Sequence, residues 1–257
     1  MTTVRRVRSE FVAAWHSFLR RRVAVFFTFF FPVLLIGIFG ALVQTNPTGG
    51  GLFAEDPAYY VPGYLAVVVL QTPLSRMGSE VARHREGSRF EKLATTPLSR
   101  AEWLAAHTLV NTVIIAIAGF VLLVLTVLLT GASVTFSPLI FAFVPLGVIC
   151  FCGVGSLLGS FADSQDGAIT AANAIGLPLL FLSETFVPPS MLPEWFHPLV
   201  ALSPLTYFAH GLRQAIWSGA ESGTVVLGLD ATQSLAVLAV LAVVFFALGA
   251  TMIPQTD

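Results

Sequence analysis

The sequence predicts an all-α membrane protein with six transmembrane helices. Its 257 residues are 56% hydrophobic and 11% charged, with a mean hydropathy of +0.84, whereas soluble domains carry about a quarter charged residues. Six of the 13 basic residues lie in Arg5–Arg22 and six in Arg76–Arg100. Basic residues collect on the cytoplasmic side of a membrane. We therefore expect both clusters, and both termini, on the cytoplasmic side of the cell membrane.

Long apolar stretches alternate with short polar ones, so residues 1–257 form a single transmembrane domain without room for a soluble one. A helix needs about twenty apolar residues to cross a bilayer. The predicted spans are 23–43, 59–83, 100–130, 138–161, 167–186 and 234–253. Six spans return the chain to the side on which it started, in agreement with the charge pattern.

Residues 3–20 have the pattern of an amphipathic helix. Val4, Val7, Phe11 and Trp15 recur at helical spacing, while the basic residues fall largely elsewhere. A basic amphipathic helix of this kind lies in the membrane interface. The alternative is a cytosolic extension of the first span.

A charged segment between the second and third spans predicts a short helix over residues 88–95. Ser88 and Glu91 form the S-x-x-E pattern of a capping box, in which each side chain bonds the other residue's backbone N–H. Ser99 and Glu102 repeat the pattern at the start of the third span. Two boxes in succession indicate a rigid element rather than an ordinary solvated loop, which remains the alternative.

The residues around this short helix define its ends and its apolar face. Gly87 can adopt the left-handed conformation that ends the incoming helix, and Pro97 disfavours helical geometry at Thr96. Phe90 and Leu93 fall near one face. The segment is therefore predicted to present an apolar stripe to another protein.

The segment 187–217 is too rich in proline to form one spanning helix. Ser203 followed by Pro204 is a helix start signal, with serine as the cap and proline at the first helical position. The helix that follows, 204–217, is too short to cross a bilayer. We expect a broken, re-entrant segment on the outer side before the last span.

The fourth span carries two features of close packing. Gly155 and Gly159 form a G-x-x-x-G motif, which lets membrane helices approach closely. Cys150 and Cys152 lie two residues apart and point in different directions, so they are predicted to be packing residues rather than a disulfide.

The sequence contains no nucleotide-binding or hydrolytic motif. The lysine of a P-loop follows a glycine, but the single lysine, Lys92, follows Glu91. The chain is therefore predicted to be no enzyme and to bind no cofactor itself. Polar residues inside a membrane are candidates for function, although those here could simply hold helices together or meet water. The candidates for a transport pathway are Gln71, Asn111, Asn173, Glu184 and Tyr207.

Two segments together resemble a known family. Arg85–Ser99, REGSRFEKLATTPLS, resembles the cytoplasmic segment of type-2 ABC exporter permeases. Leu182–Arg213, with FVPP, LPEW, HPL and SPLTYF, resembles the outer signature that precedes their last span. Ser88 stands where threonine is common in this family, and Ser203 where asparagine is frequent. The order and spacing of all elements agree with the short drug- and antibiotic-export permeases.

This resemblance implies a half-transporter. Two permease copies would pair as a homodimer, and two separate ABC ATPase subunits would bind ATP and Mg²⁺. The short helix would then be the coupling helix, with Phe90 and Leu93 as apolar anchors in the ATPase and Ser88 and Glu91 as stiffening residues. The residues assigned to ATPase coupling are Glu86, Gly87, Ser88, Phe90, Glu91, Leu93, Thr96 and Pro97.

The substrate class expected from the resemblance is a hydrophobic drug or antibiotic, as in multidrug efflux. Export of a polysaccharide or lipid-linked glycan is the alternative within the same family, and no residue separates the two. An ion-coupled secondary transporter is the alternative by class, but it should show buried ionisable groups at mid-membrane. A membrane scaffold is the third possibility.

Overall fold

A computed structural model describes residues 2–38, 57–131, 134–135, 137–183, 185, 193–217 and 228–254. Over these residues the chain is all-α, as predicted, and has no β-strand. A short 3₁₀ turn at Glu194–Phe196 precedes the helix that begins at His197. The ten α-helices in these ranges are α1 (Thr3–Arg20), α2 (Arg22–Ile36), α3 (Pro57–Glu86), α4 (Arg89–Ala94), α5 (Arg100–Thr130), α6 (Ile140–Phe161), α7 (Gln165–Leu182), α8 (His197–Leu202), α9 (Pro204–Ile216) and α10 (Ala231–Met252).

Three of these helices, α5, α6 and α10, are long and apolar enough to cross a membrane, and α2 is a shorter apolar helix. The second and fifth predicted spans correspond to α3 and α7, which are less apolar. Helix α3 contains charged residues from Arg76 onward, and α7 begins with polar residues. The first predicted span continues past α2 into residues 39–43, outside the described ranges. The count of six spans stays a prediction.

The fold is built around α3. Every residue from Ala58 to Leu70 is buried, because α5, α6, α7 and α9 pack around this helix, while α10 packs against α6 and α9. An element surrounded in this way has no lipid-facing stripe to show in the sequence. This placement puts the end of α3, and the charged segment that follows it, at one end of the helical bundle.

The predicted close-packing motif brings α6 against the backbone of α3. A Cβ atom at Gly155 would lie 2.6 Å from the carbonyl oxygen of Leu74, and one at Gly159 would lie still closer to the carbonyl oxygen of Gly78. The two helices therefore meet backbone to backbone, which confirms the role predicted for G-x-x-x-G. Cys150 and Cys152 are buried and unpaired in the same helix, as predicted.

The predicted broken segment contains α8 and α9 in its described part, and residues 187–192 lie outside it. Helix α9 begins at Pro204, as predicted, but the described contacts give Ser203 no side-chain cap hydrogen bond. Arg213 is buried on α9 with 5% exposure. Its Nε donates to the carbonyl oxygen of Tyr59 at 3.2 Å, and its guanidinium lies 4.1 Å from the centre of the Tyr59 ring. This contact holds α9 to the first turn of α3.

Helix α1 packs along α5 through its apolar stripe. Phe11, Trp15 and Phe18 pack against Val110 and Ile114 of α5. The bounds of α1 match the predicted 3–20. Its place in the membrane interface stays a prediction.

We expect Gly159→Ala to lower the free energy of unfolding by about 2 kcal/mol, since the new methyl group forces α3 and α6 apart. Thermal unfolding in detergent measures the effect. The matched control is Gly37→Ala, because a Cβ there meets nothing within 4 Å and the backbone is helical. Equal unfolding temperatures for the two variants would contradict the backbone contact.

Candidate functional site

The candidate site is the charged segment 83–102, which we name the foot. It comprises the last turn of α3, the six-residue helix α4 and the first turn of α5. The short helix predicted over residues 88–95 is present as Arg89–Ala94. The foot therefore projects from one end of the bundle between two long helices.

The start of α4 differs from the prediction. Ser88 has φ 48° and ψ 35°, a left-handed conformation, and among the described contacts its side chain makes no cap hydrogen bond. A capping residue needs an extended backbone to direct its side chain at the following N–H groups. The predicted Ser88–Glu91 capping box is therefore wrong. The residue predicted to be left-handed was Gly87, but Gly87 does not have positive φ.

Phe90 points into the chain's own core rather than outward. Its side chain is 7% exposed, and its ring centre lies 5.4 Å from that of His84 and 5.2 Å from that of Trp103. These contacts join α3, α4 and α5. Leu93 is partly buried against the same cluster. The prediction that Phe90 is presented to a partner is wrong, because this ring anchors α4 to the bundle.

The end of α4 is stabilised by two hydroxyl groups. The Oγ1 atoms of Thr95 and Thr96 donate to the carbonyl oxygens of Lys92 and Leu93, each at 2.7 Å. Such bonds satisfy carbonyls that a helix end leaves free. The sequence analysis missed Thr95, although threonine directly after a helix is a recognisable signal. Pro97 follows and is exposed.

The second predicted capping box is confirmed at the start of α5. The backbone N–H of Glu102 donates to Ser99 Oγ at 3.2 Å, and that of Ser99 donates to Glu102 Oε2 at 2.9 Å. Glu102 also accepts bonds from Arg6 Nε at 3.0 Å and Nη2 at 2.5 Å. This bidentate hydrogen bond raises the pKa of the Arg6 guanidinium above its ordinary value and ties α1 to the foot.

The α3 side of the foot holds the junction between α6 and α7. Arg85 donates to the carbonyl oxygens of Ser160 at 2.6 Å and Ala162 at 2.7 Å, where α6 ends. The Glu86 carboxylate accepts the backbone N–H of Gln165 at 2.7 Å, where α7 begins. Of these two links, only the one made by Glu86 involves a residue singled out from the sequence.

The α5 side of the foot holds the end of the last helix. Arg100 Nη1 donates to the carbonyl oxygens of Thr251 at 3.0 Å and Ile253 at 2.5 Å. We use "the four links" for the bonds that Arg85, Glu86, Arg100 and Glu102 make to α6, α7, α10 and α1. They connect the foot to four helices besides its own.

The described pathway candidates are not gathered into one site. Asn111 is 3% exposed and donates from Nδ2 to the carbonyl oxygen of His107 at 3.0 Å. Gln71 faces α7, since a Cβ at Gly176 would lie 2.5 Å from its Oε1. The oxygens Asn111 Oδ1 and Gln71 Oε1 are buried and lack a partner among the described residues.

The other candidates lie on different elements. Tyr207 donates its hydroxyl to the carbonyl oxygen of Ala201 at 2.7 Å, which braces α9 against α8. Asn173 is exposed on α7. Glu184 lies outside the described residues. A transport role for these residues therefore stays a prediction.

We expect Ser88→Gly to stabilise the foot by about 1 kcal/mol, because glycine adopts the left-handed conformation without the steric cost of a side chain. Ser88→Val should destabilise it, since a β-branched residue tolerates positive φ poorly. The rate at which a protease cleaves the foot of the purified protein measures both effects. Slower cleavage of the valine variant than of the glycine variant would contradict the left-handed assignment.

The sequence of this chain is similar to those of known proteins. A family model described as "ABC-2 type transporter" matches residues 7–217, which extend from α1 to the end of α9. A protein from Porphyra purpurea named "Putative transport permease ycf38" is 27% identical over 195 residues. The aligned region covers 71% of this chain and 64% of that relative, so the chain spans less than two thirds of the relative's length. The family match covers most of the chain, and the chain therefore belongs to the ABC-2 type transporter family.

Proposed function

We propose that this chain is the membrane permease of an ATP-driven ABC exporter and works with separate ATPase subunits that bind ATP and Mg²⁺. Membership of the ABC-2 type transporter family supports this proposal. The sequence supports it as well, since the single lysine follows Glu91 and cannot belong to a standard P-loop. A chain without a nucleotide site needs a partner for ATP hydrolysis.

The foot is the proposed docking site for the ATPase. The outward surface of α4 carries Arg89, Glu91 and Lys92, all exposed, so the contact with the partner is polar. A helix of six residues is not stable by itself in water. Phe90 supplies the missing stability by packing against α3 and α5. Movement imposed on α4 is then passed to these two helices.

The four links are the main observation that supports coupling between the foot and the rest of the bundle. Through them the foot bonds directly to α1, α6, α7 and α10. Each link is a charge-assisted hydrogen bond, the stronger class of hydrogen bond in proteins. A displacement of the foot would thus reach the whole bundle and not only the two helices that flank α4.

Helix α7 is the proposed wall of the transport pathway and the contact with a second permease copy. Its exposed side carries Thr170 and Asn173 in the first half and Leu177 and Phe181 in the second. Polar groups facing lipid are unfavourable, which favours a covered surface here. The apolar second half suits a hydrophobic compound such as a drug or antibiotic.

We expect Arg100→Met to lower the amount of substrate transported per ATP hydrolysed by about threefold or more, in the range that mutations along a coupling route produce. The variant removes the link to α10 and leaves the docking surface intact. Proteoliposomes containing the permease and its co-purified ATPase provide both rates. Arg20→Met is the matched control, because Arg20 is exposed and lies outside the foot. Unchanged transport per ATP in the Arg100 variant would refute the role of this link.

The same preparation tests the broader proposal. Hydrophobic compounds should stimulate ATP hydrolysis, whereas stimulation by lipid-linked glycans alone would favour the glycan exporter. Failure of any ATP-binding subunit to co-purify, together with transport driven by an ion gradient, would contradict an ABC permease.

We expect Leu177→Cys to form a disulfide-linked dimer on mild oxidation in membranes, since α7 is the proposed contact between copies. The native thiols Cys150 and Cys152 are buried and should not compete. Val243→Cys is the control, since Val243 is 68% exposed on α10, away from the proposed contact. Non-reducing gel electrophoresis measures the product, and equal dimer yields for the two variants would contradict this arrangement.

A further inference from the structure

A pocket lined by both polar and apolar side chains lies beside the junction of α1 and α2, apart from the foot's outer surface and from α7. Its volume is about 60 Å³, and side chains from α1, α3 and α5 surround it. Because Arg21 links the basic α1 to the apolar α2, this junction marks the boundary between polar and apolar surface. The side chains that matter here are Ser17, Phe18, Arg21, Arg76, Glu80 and Asn111.

The positively charged side chain of Arg76 lines this pocket. Its guanidinium lies 4.3 Å from the centre of the Phe18 ring. No hydrogen bond or ion pair engages it anywhere in the described ranges. A guanidinium carries five N–H donors, and a partly buried one without acceptors is unfavourable. The donors of Arg76 are therefore free to bind an acceptor that enters the pocket.

Asn111 of α5 also lines the pocket. The residue is 3% exposed, and its Oδ1 atom has no partner among the described residues. Its Nδ2 atom is already bonded to His107. Asn111 Oδ1 is shielded from solvent, so the groups that a ligand can reach are the donors of Arg76 and Arg21.

Glu80 does not neutralise the pocket. Its carboxylate forms a close ion pair with Arg83 and lies 3.6 Å from His84 Nδ1. Arg21 approaches the other oxygen at 3.6 Å, and its side chain remains 40% exposed. Three arginines, Arg21, Arg76 and Arg83, therefore surround a single carboxylate, and the site keeps a net positive charge.

We propose that this pocket binds the phosphate group of a membrane phospholipid. Phosphate oxygens are strong acceptors for arginine, and Arg76 and Arg21 would donate to them. The pocket lies at the boundary between the basic and apolar helices, where headgroups meet an interfacial helix. A bound headgroup would fasten the α1–α2 junction to α3 and α5.

The test measures binding of short-chain phosphatidylglycerol to the purified full-length protein in detergent by native mass spectrometry. We expect Arg76→Gln to weaken binding about tenfold, the usual effect of losing one charge-assisted hydrogen bond. Arg21→Gln should also weaken it, and because Arg21 is exposed this variant should fold normally. Arg22→Gln is the matched control, since Arg22 is adjacent but does not line the pocket.

A competition with inorganic phosphate identifies the source of the group. Phosphate that displaces the lipid, with the same dependence on Arg76, would show that a free phosphate also occupies the site. Lack of competition together with loss of lipid in the Arg76 variant would show that the headgroup is required. Equal lipid binding by the Arg76, Arg21 and Arg22 variants, or no bound lipid on the unmodified protein, would overturn the proposal.

Discussion

Unsatisfied backbone groups at helix ends are the constraint on which this bundle depends. Each α-helix leaves N–H groups free at its start and carbonyls free at its end. At the foot, Arg85 and Arg100 meet the carbonyl ends of α6 and α10, and Glu86 meets the start of α7. The signs of charge suit the helix dipole at every one of these ends. The position of the foot and the ends of its neighbours therefore determine one another.

The foot is stiff because its aromatic side chains pack between helices of the core. The rings of Phe90, His84 and Trp103 fill the space between α3, α4 and α5. Beyond them, α3 contacts α6 through the backbone near Gly78, with no side chain between. Side chains can change rotamer and absorb a displacement, whereas a backbone contact cannot. A movement that begins at the foot would thus pass along α3 with little loss.

The sequence predicted best where local caps define an element. Helix α5 matches its predicted bounds because Ser99 and Glu102 cap its start and Gly131, with φ 67°, ends it. The same S-x-x-E pattern failed at Ser88, because burial of Phe90 dictates the backbone there. The Arg100 link joins residues more than 150 positions apart, and no local pattern reveals such a contact. The backbone at Ser88 and the Arg100 link thus depend on tertiary packing, which local periodicity and capping patterns do not reveal.

The buried Arg213 has a consequence for the opposite end of the bundle. Separating α9 from α3 would expose or strand a charge that Tyr59 now covers with its ring and its carbonyl oxygen. Stranding a charge away from water is far more costly than moving two helices together. The ends of α9 and α3 that lie opposite the foot should therefore move as one body. Any opening at this end of the bundle would have to occur between other helices.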